Sequence, residues 1–366
     1  MLNTSRALLL LGLLGSSLAQ AMDYRIETVT SGLEHPWSMA FLPDGRMLVT
    51  ERVGRLRIIE PDGSLNPHPV GGLPEGFVAS QAGLMEVMLD PDFASNQQLY
   101  FSYAYGTTQA NNTRLAKARL VDGQLQNVQV LFSALPAKAG AAHYGGRMAF
   151  LPDNTLVLTL GDGFDLREQA QDTSNHLGKI VRLNRDGSIP GDNPLVGQVG
   201  AAEEIYSFGH RNVQGIVYDG ELQRLYSHEH GPRGGDELNL IEAGNNYGWP
   251  LITYGIDYNG AQISPYTELP GLQQPLLHWT PSVAPSSLTL YRGALFPQWQ
   301  GDLFASTLAE RSVRRIRMQD GKLAGQEVLF DELDERIRDV RGGPDGALYL
   351  LTDSAEGRLL RVVPSQ

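Results

Sequence analysis

The sequence predicts an all-β protein, a six-bladed β-propeller of four-stranded antiparallel blades. Three observations predict it. Six times a polar segment leads into an apolar run that ends in a Pro-Asp or Asp-Gly type of turn, and a second apolar run follows each turn. A third run follows in every unit, so the pattern is that of short strands joined by hairpin turns. Helical signals are scarce: SNHLGKI is too short and RIRDV has the wrong pattern.

The six leading segments come in chain order. They are His35-Pro36-Trp37 before SMAFLPDG, Gln81 before AGLMEVMLDPDF, His143 before YGGRMAFLPDN, Arg211-Asn212 before VQGIVYDG, Ser286-Ser287 before LTLYRGALFPQW, and Arg336-Ile337-Arg338 before DVRGGPDG. The second runs are MLVTE (47–51), LYFSYA (99–104), LVLTLGDG (156–163), LYSHEHG (225–231), LFAST (303–307) and LYLLTD (348–353). Third runs begin at Leu56, Leu115, Ile180, Leu238, Val313 and Leu359. Each unit is longer than the roughly 40–50 residues of common propeller repeats, which predicts long loops between some strands. The extended run Tyr24–Val29 is expected to pair with the last blade and close the ring. A β-sandwich or a solenoid is the alternative arrangement of the same strands.

The first 21 residues, MLNTSRALLLLGLLGSSLAQA, place Arg6 before a short apolar stretch and end in Ala19-Gln20-Ala21. That is the form of a cleavable secretory signal, and it implies a periplasmic or secreted protein. An uncleaved anchor is the other reading, but no second hydrophobic span follows to suggest a membrane protein. Residues 22–366 are then one propeller domain. The whole chain carries a formal charge of −12, which disfavours nucleic acid or an anionic membrane as partner. No cysteine is present, which excludes a disulfide framework, a thiolate nucleophile and a zinc–thiolate site.

In an antiparallel blade the start of the innermost strand and the end of the next lie on one face. One mouth is therefore expected to gather His35, Gln81, His143, Asp162, Arg211, Asn212, His230, Arg336 and Arg338. An imidazole titrates near neutral pH, at about 6.5 unperturbed, so His143 suits a general base, and Asp162 is placed to orient it. The plainer reading makes His143 a loop cap and Asp162 a turn residue. Arg211, Arg336 and Arg338 suit a multiply anionic planar ligand, since guanidinium binds carboxylate bidentately. Each alone reads as a surface ion pair. The segment 228–249 offers backbone carbonyls at Gly231-Pro232 and oxygen donors at Asp236, Glu237 and Asn239, the donor class Ca²⁺ prefers. His228 and His230 offer a weaker transition-metal alternative. Dinucleotide, P-loop and G-x-S-x-G signatures are absent.

The blocks HPWSMAFLPDG, HYGGRMAFLPDNTLVLTLGDG, SFGHRNVQG, HEHGPRGGDELNLIEAGNNYGWP and RIRDVRGGPDGALYLLTD resemble the soluble quinoprotein sugar dehydrogenases, in their aldose dehydrogenase branch. The resemblance implies a pyrroloquinoline quinone- and Ca²⁺-dependent enzyme that oxidises the C1 hydroxyl of an aldose to the lactone. It implies His143 as general base with Asp162 its partner, and Arg211 set to stabilise charge on the reduced quinone. It also implies Gln81, Arg211, Asn212, Arg336, Arg338 and Tyr258 as cofactor contacts. Gly231 and Pro232 would hold the cofactor's Ca²⁺, with Glu237 and the Tyr247 carbonyl at a second Ca²⁺. Electrons would pass to an acceptor, a quinone, cytochrome or artificial dye, that the sequence does not identify. Two departures stand out. Leu308-Ala309-Glu310-Arg311 replaces a family lysine over the cofactor, leaving that contact missing or made by Arg311, and Trp279 lies one residue from a family tryptophan. A Ca²⁺-dependent propeller lactonase and a non-catalytic ligand-binding propeller are the alternatives on the same fold.

Overall fold

The computed structural model describes residues 24–365, so the expected signal segment 1–21 lies outside the described residues. Among them the strands form six antiparallel sheets, each the blade of a ring. From the axis outward, the first blade runs Pro36–Phe41, Met47–Glu51 and Arg55–Ile59. The innermost strands of the next five blades are Leu84–Leu89, Met148–Phe150, Val213–Asp219, Pro285–Leu290 and Ile337–Gly342. The expected closure is present. Tyr24–Leu33 pairs antiparallel with Gly357–Pro364 as the outermost strand of the sixth blade, joining the two ends of the chain.

The first blade departs from the expected four strands. Its fourth position is taken by the irregular segment 65–70, whose Asn66 and Val70 N–H groups bond to the carbonyls of Ile58 and Leu56. This segment reads Asn66-Pro67-His68-Pro69-Val70, and the two prolines have no N–H to give a ladder.

The hydrophobic core sits between blades and not on the axis. Six buried clusters each join two neighbouring blades; in the one between the first and second, Leu48, Leu56 and Ile58 meet Leu99 and Phe101. Because each sheet packs on both faces, the middle strands read as unbroken apolar runs, as in Leu348–Leu351.

The axis is polar and closed. Arg147, 2% exposed, projects into it from the third blade. It donates to Glu86 Oε2 (3.0 Å), Asp339 Oδ1 (3.1 Å) and the carbonyls of Gln214 (3.0 Å), Ser286 (2.6 Å) and Arg338 (3.1 Å). Its guanidinium also stacks 3.9 Å from the Trp37 ring centroid. These contacts reach all five other blades, and Arg341 supplies a second cation to Glu86 and Asp339. A buried charge is tolerated only when paired and hydrogen-bonded, and here two arginines face two carboxylates.

Candidate active site

Five of the six innermost strands begin with a register shift, between Pro36 and Ser38, Leu84 and Val87, Val213 and Gly215, Pro285 and Ser287, and Ile337 and Asp339. A bulge leaves a residue out of the ladder and re-aims its side chain. The residues so released include Trp37, Met85, Gln214 and Arg338, and all four line a cavity of about 450 Å³ above the Arg147 plug. Gln81, Asn212, His230, Arg336 and Asp353 complete much of its wall.

His143 directly precedes Tyr144 and Gly145, which line this cavity. His143 is 4% exposed, and its backbone N–H bonds to Gln81 Oε1 at 2.8 Å. Its φ of 54° is in the left-handed region. The backbone folds back on the neighbouring strand there: a Cβ on Gly145 would stand 2.5 Å from the Thr159 carbonyl, at φ +64°. His143 Nδ1 meets Asp162 Oδ1 at 2.7 Å, while Nε2 makes no hydrogen bond among the described residues. Asp162 is fully buried and accepts two further hydrogen bonds, from the Phe164 N–H and from Trp249 Nε1–H, each at 2.8 Å.

These contacts set the charge states. Burial pushes the His143 pKa down, opposed by the Asp162 hydrogen bond and reinforced by the charge of Arg211. The imidazole is thus biased toward its neutral form. Burial works against ionisation of Asp162, but the His143 hydrogen bond, its charge and Arg211 together hold the carboxyl below its ordinary value.

Arg211 sits between the aromatic rings of Trp249 and Tyr258, 5.3 Å and 5.9 Å from their centroids. Its Nη1 donates to the Gly231 carbonyl at 2.5 Å, and its backbone carbonyl accepts from the Asp162 N–H at 2.8 Å. Tyr258 stacks on Phe164, which meets His143 edge-on at 5.0 Å. Asn212 Oδ1 accepts from the Gly145 N–H at 3.1 Å and so braces the His143 segment. Arg336 and Arg338 both reach Asp353 Oδ2, at 2.9 and 3.0 Å. The Nε of Arg338 is buried without a hydrogen-bond partner among the described residues, and burial lowers the Arg338 pKa. With Arg52, three guanidiniums face the cavity against the single carboxylate of Asp353.

The expected calcium donors divide. Asp236 is committed to structure: it accepts from the N–H groups of Gly231, Val283 and Ala284 and from the Ser282 hydroxyl. Gly231 shares its carbonyl with Arg211. Glu237 is different. Burial, followed by the charge of Glu229, pushes its pKa up to about 8, and the Asn239 Oδ1 beside it is buried without a partner. Glu229, Glu237, Gly231 and Tyr247 line one small cavity. His228 and His230 do not form a metal pair: His230 Nε2 bonds to the Pro285 carbonyl at 2.7 Å. No group of three His, Cys, Asp or Glu side chains converges for a metal among the described residues.

Arg311 and Trp279, the two residues that marked the sequence departures, both lie away from the cavity. Arg311 pairs with Asp334 at the surface, and Leu308 takes the cavity wall. Trp279 is buried on the outermost strand of the fourth blade, its Nε1 bonded to Gln326 at 2.9 Å. Sequence reasoning missed Arg52, Phe164 and Trp249. Arg52 had a usable signal, because it leaves the second strand of its blade at the mouth, as Asp162 and Asp353 do.

The family described as Glucose / Sorbosone dehydrogenase matches residues 33–361. The chain belongs to that family. Aldose sugar dehydrogenase YliI of Escherichia coli (strain K12) is 39% identical over 345 residues, covering 93% of this chain and 92% of the relative. A crystal structure of a glucose dehydrogenase superposes with a TM-score of 0.90 at 42% identity, covering 93% of this chain and all of that one. The PQQ-bound form of an aldose sugar dehydrogenase from Streptomyces coelicolor superposes with a TM-score of 0.76 at 27% identity, covering 93% and 99%.

Proposed function

We propose that this member of the glucose/sorbosone dehydrogenase family is an exported, periplasmic enzyme that oxidises the C1 hydroxyl of an aldose to the lactone, using pyrroloquinoline quinone and Ca²⁺. The observation that carries the reading is the His143–Asp162 pair at 2.7 Å, on the segment whose next residues, Tyr144 and Gly145, line a cavity that also carries three arginines. PQQ-bound and aldose-oxidising relatives support the cofactor and the substrate class.

The residues present fit the quinone. A buried guanidinium with an unpartnered Nε, beside two further arginines, suits a planar tricarboxylate better than any neutral ligand. They also fit a cation near Glu237, whose carboxylate is held protonated for want of positive charge. At Gly231 and Pro232 the donors are backbone carbonyls, one already carrying an arginine hydrogen bond.

When bound, the quinone supplies a two-electron acceptor for the hydride leaving C1, and Ca²⁺ polarises its carbonyl. The protein supplies the rest. His143 Nε2 takes the C1 hydroxyl proton, and Asp162 holds the imidazole in the tautomer with Nδ1 protonated and stabilises the imidazolium that forms. Arg211 presents fixed positive charge to the oxygen where negative charge develops. Arg336 and Arg338 would bind cofactor carboxylates, Tyr258 lies against the Arg211 guanidinium, and Gln81 and Asn212 hold the His143 segment.

A lactonase with its metal held by carboxylates in the channel is disfavoured, since Glu86 and Asp339 there are tied to Arg147 and Arg341. Reconstitution tests the proposal: apoprotein, Ca²⁺ and pyrroloquinoline quinone are mixed with an aldose and an artificial dye. Bleaching of the oxidised quinone band with dye reduction is expected. A protein that binds the quinone yet reduces nothing would be a binding propeller.

A further inference from the structure

Trp249 touches two members of the proposed chemistry, the carboxylate of Asp162 and the guanidinium of Arg211. Its indole N–H donates to Asp162 Oδ2 at 2.8 Å, opposite the oxygen that meets His143, and its ring lies 5.3 Å from the Arg211 guanidinium. It is 7% exposed.

The indole is held from behind. Its backbone N–H bonds to the Gly209 carbonyl at 2.9 Å, and its carbonyl accepts from Gln171 Nε2 at 2.7 Å. Gln171 and Asn246 exchange two side-chain hydrogen bonds, at 2.7 and 3.0 Å. The 3₁₀ turn Arg167–Gln171 that carries Gln171 is pinned by the buried Lys179, whose ammonium donates to the carbonyls of Gln169, Ala170 and Leu177. An unbroken series of contacts therefore runs from a rigid strand of the third blade through Trp249 to the base.

We propose that Trp249 is a positioning residue: its N–H fixes the rotation of the Asp162 carboxylate, and thereby the tautomer of His143 and the strength of that base. The proposal rests on His143 being the base, but the hydrogen-bond chain itself is testable without turnover. A carboxylate that loses one of three donors keeps more negative charge, stabilises the imidazolium better and raises the His143 pKa. Trp249→Phe keeps the ring under Arg211 and removes only the N–H.

The experiment is an NMR titration of the apoprotein, with His143 assigned by loss of its signal in His143→Gln. In the parent, one of the four indole N–H resonances, absent in Trp249→Phe, is expected to shift with the His143 titration. In Trp249→Phe the His143 midpoint is expected about one pH unit higher. The acid limb of the kcat profile in reconstituted enzyme should move by the same amount, with quinone Kd changed less than threefold. An unmoved His143 midpoint, or a parent protein in which no indole signal follows His143, would overturn the proposal. A shifted midpoint with an unshifted kcat profile would overturn the catalytic part. If Trp249→Phe does not fold, the parent indole titration still decides. Absence of dye reduction in the parent would instead count against the dehydrogenase reading, leaving the hydrogen-bond chain to stand or fall on the NMR data.

Discussion

Asp162→Asn is nearly isosteric, yet no orientation of the amide satisfies the site. With its NH₂ at the Oδ2 position, the amide points a donor at Trp249 Nε1–H. With its NH₂ at Oδ1, it confronts both the Phe164 N–H and His143 Nδ1. The imidazole can relieve the second clash only by moving its proton to Nε2, which leaves it unable to accept the C1 hydroxyl proton. A wrong tautomer costs about 10⁴ in comparable triads, and a positioned base is worth roughly 10²–10⁴. We expect kcat to fall by about 10³–10⁴, or about 4–5.5 kcal/mol at 1.36 kcal/mol per tenfold. Quinone affinity should stay within threefold, because Asp162 makes no contact with the arginine-lined cavity. The assay is single-turnover bleaching of the quinone band in reconstituted protein, with Kd read from cofactor titration. A variant that bleaches within threefold of the parent would refute the assignment of Asp162 and His143 as a working pair.

Four further outcomes are expected. His143→Ala should lower turnover by roughly 10²–10⁴ with cofactor binding largely intact; equal activity would remove His143 from the reaction. Arg211→Gln should weaken quinone binding and turnover together, each by about tenfold or more, since one hydrogen-bonded charge is lost; unchanged titration and rate would exclude that role. The gain in melting temperature from Ca²⁺ should grow from pH 4.5 to about 8, because a proton on Glu237 competes with the cation, and Glu237→Gln should lose that dependence in a calorimetric series. His228 is fully buried, and burial lowers its pKa to about 4. Its folded-state pKa lies below the unfolded value of 6.5, so stability is complete above pH 6.5 and falls toward pH 4, by about 3 kcal/mol. In denaturant unfolding, His228→Asn should flatten this limb; an unchanged limb would assign the acid sensitivity elsewhere.

The ring and much of the mouth were legible because both follow from local pattern. Alternating runs and turn residues name the strands, and antiparallel pairing puts His143, Asp162, Arg211 and Arg338 at one end of neighbouring strands. The fourth strand of the first blade failed for a reason also present in the chain: Pro67 and Pro69 cannot donate, and the pattern of apolar runs alone does not weigh that. Trp249 and Phe164 were not legible as site residues. Trp249 reaches Asp162 from a different blade, 87 positions away in sequence. Phe164 reads as an ordinary turn residue after Gly163. Its left-handed φ of 73° turns it back over His143, and that is a property of backbone path rather than composition.

The bulges show why the mouth is polar although the blades are not. An innermost strand in perfect register would send alternate side chains into the two flanking blade interfaces, where the cores lie, and none to the axis. Shifting the register at its first residues frees Trp37, Gln214 and Arg338 to point inward. The axis below must then be filled by something that suits five unlike neighbours. Arg147 does so with donors in a fixed planar fork, which aliphatic side chains of equal volume lack. Filling it this way also sets the floor of the cavity, since Trp37, Gln214 and Arg338 are each in contact with Arg147. The site is therefore a blind pocket that opens only at the mouth. Arg336 and Arg338 would hold the carboxylates of a planar anion bound in it.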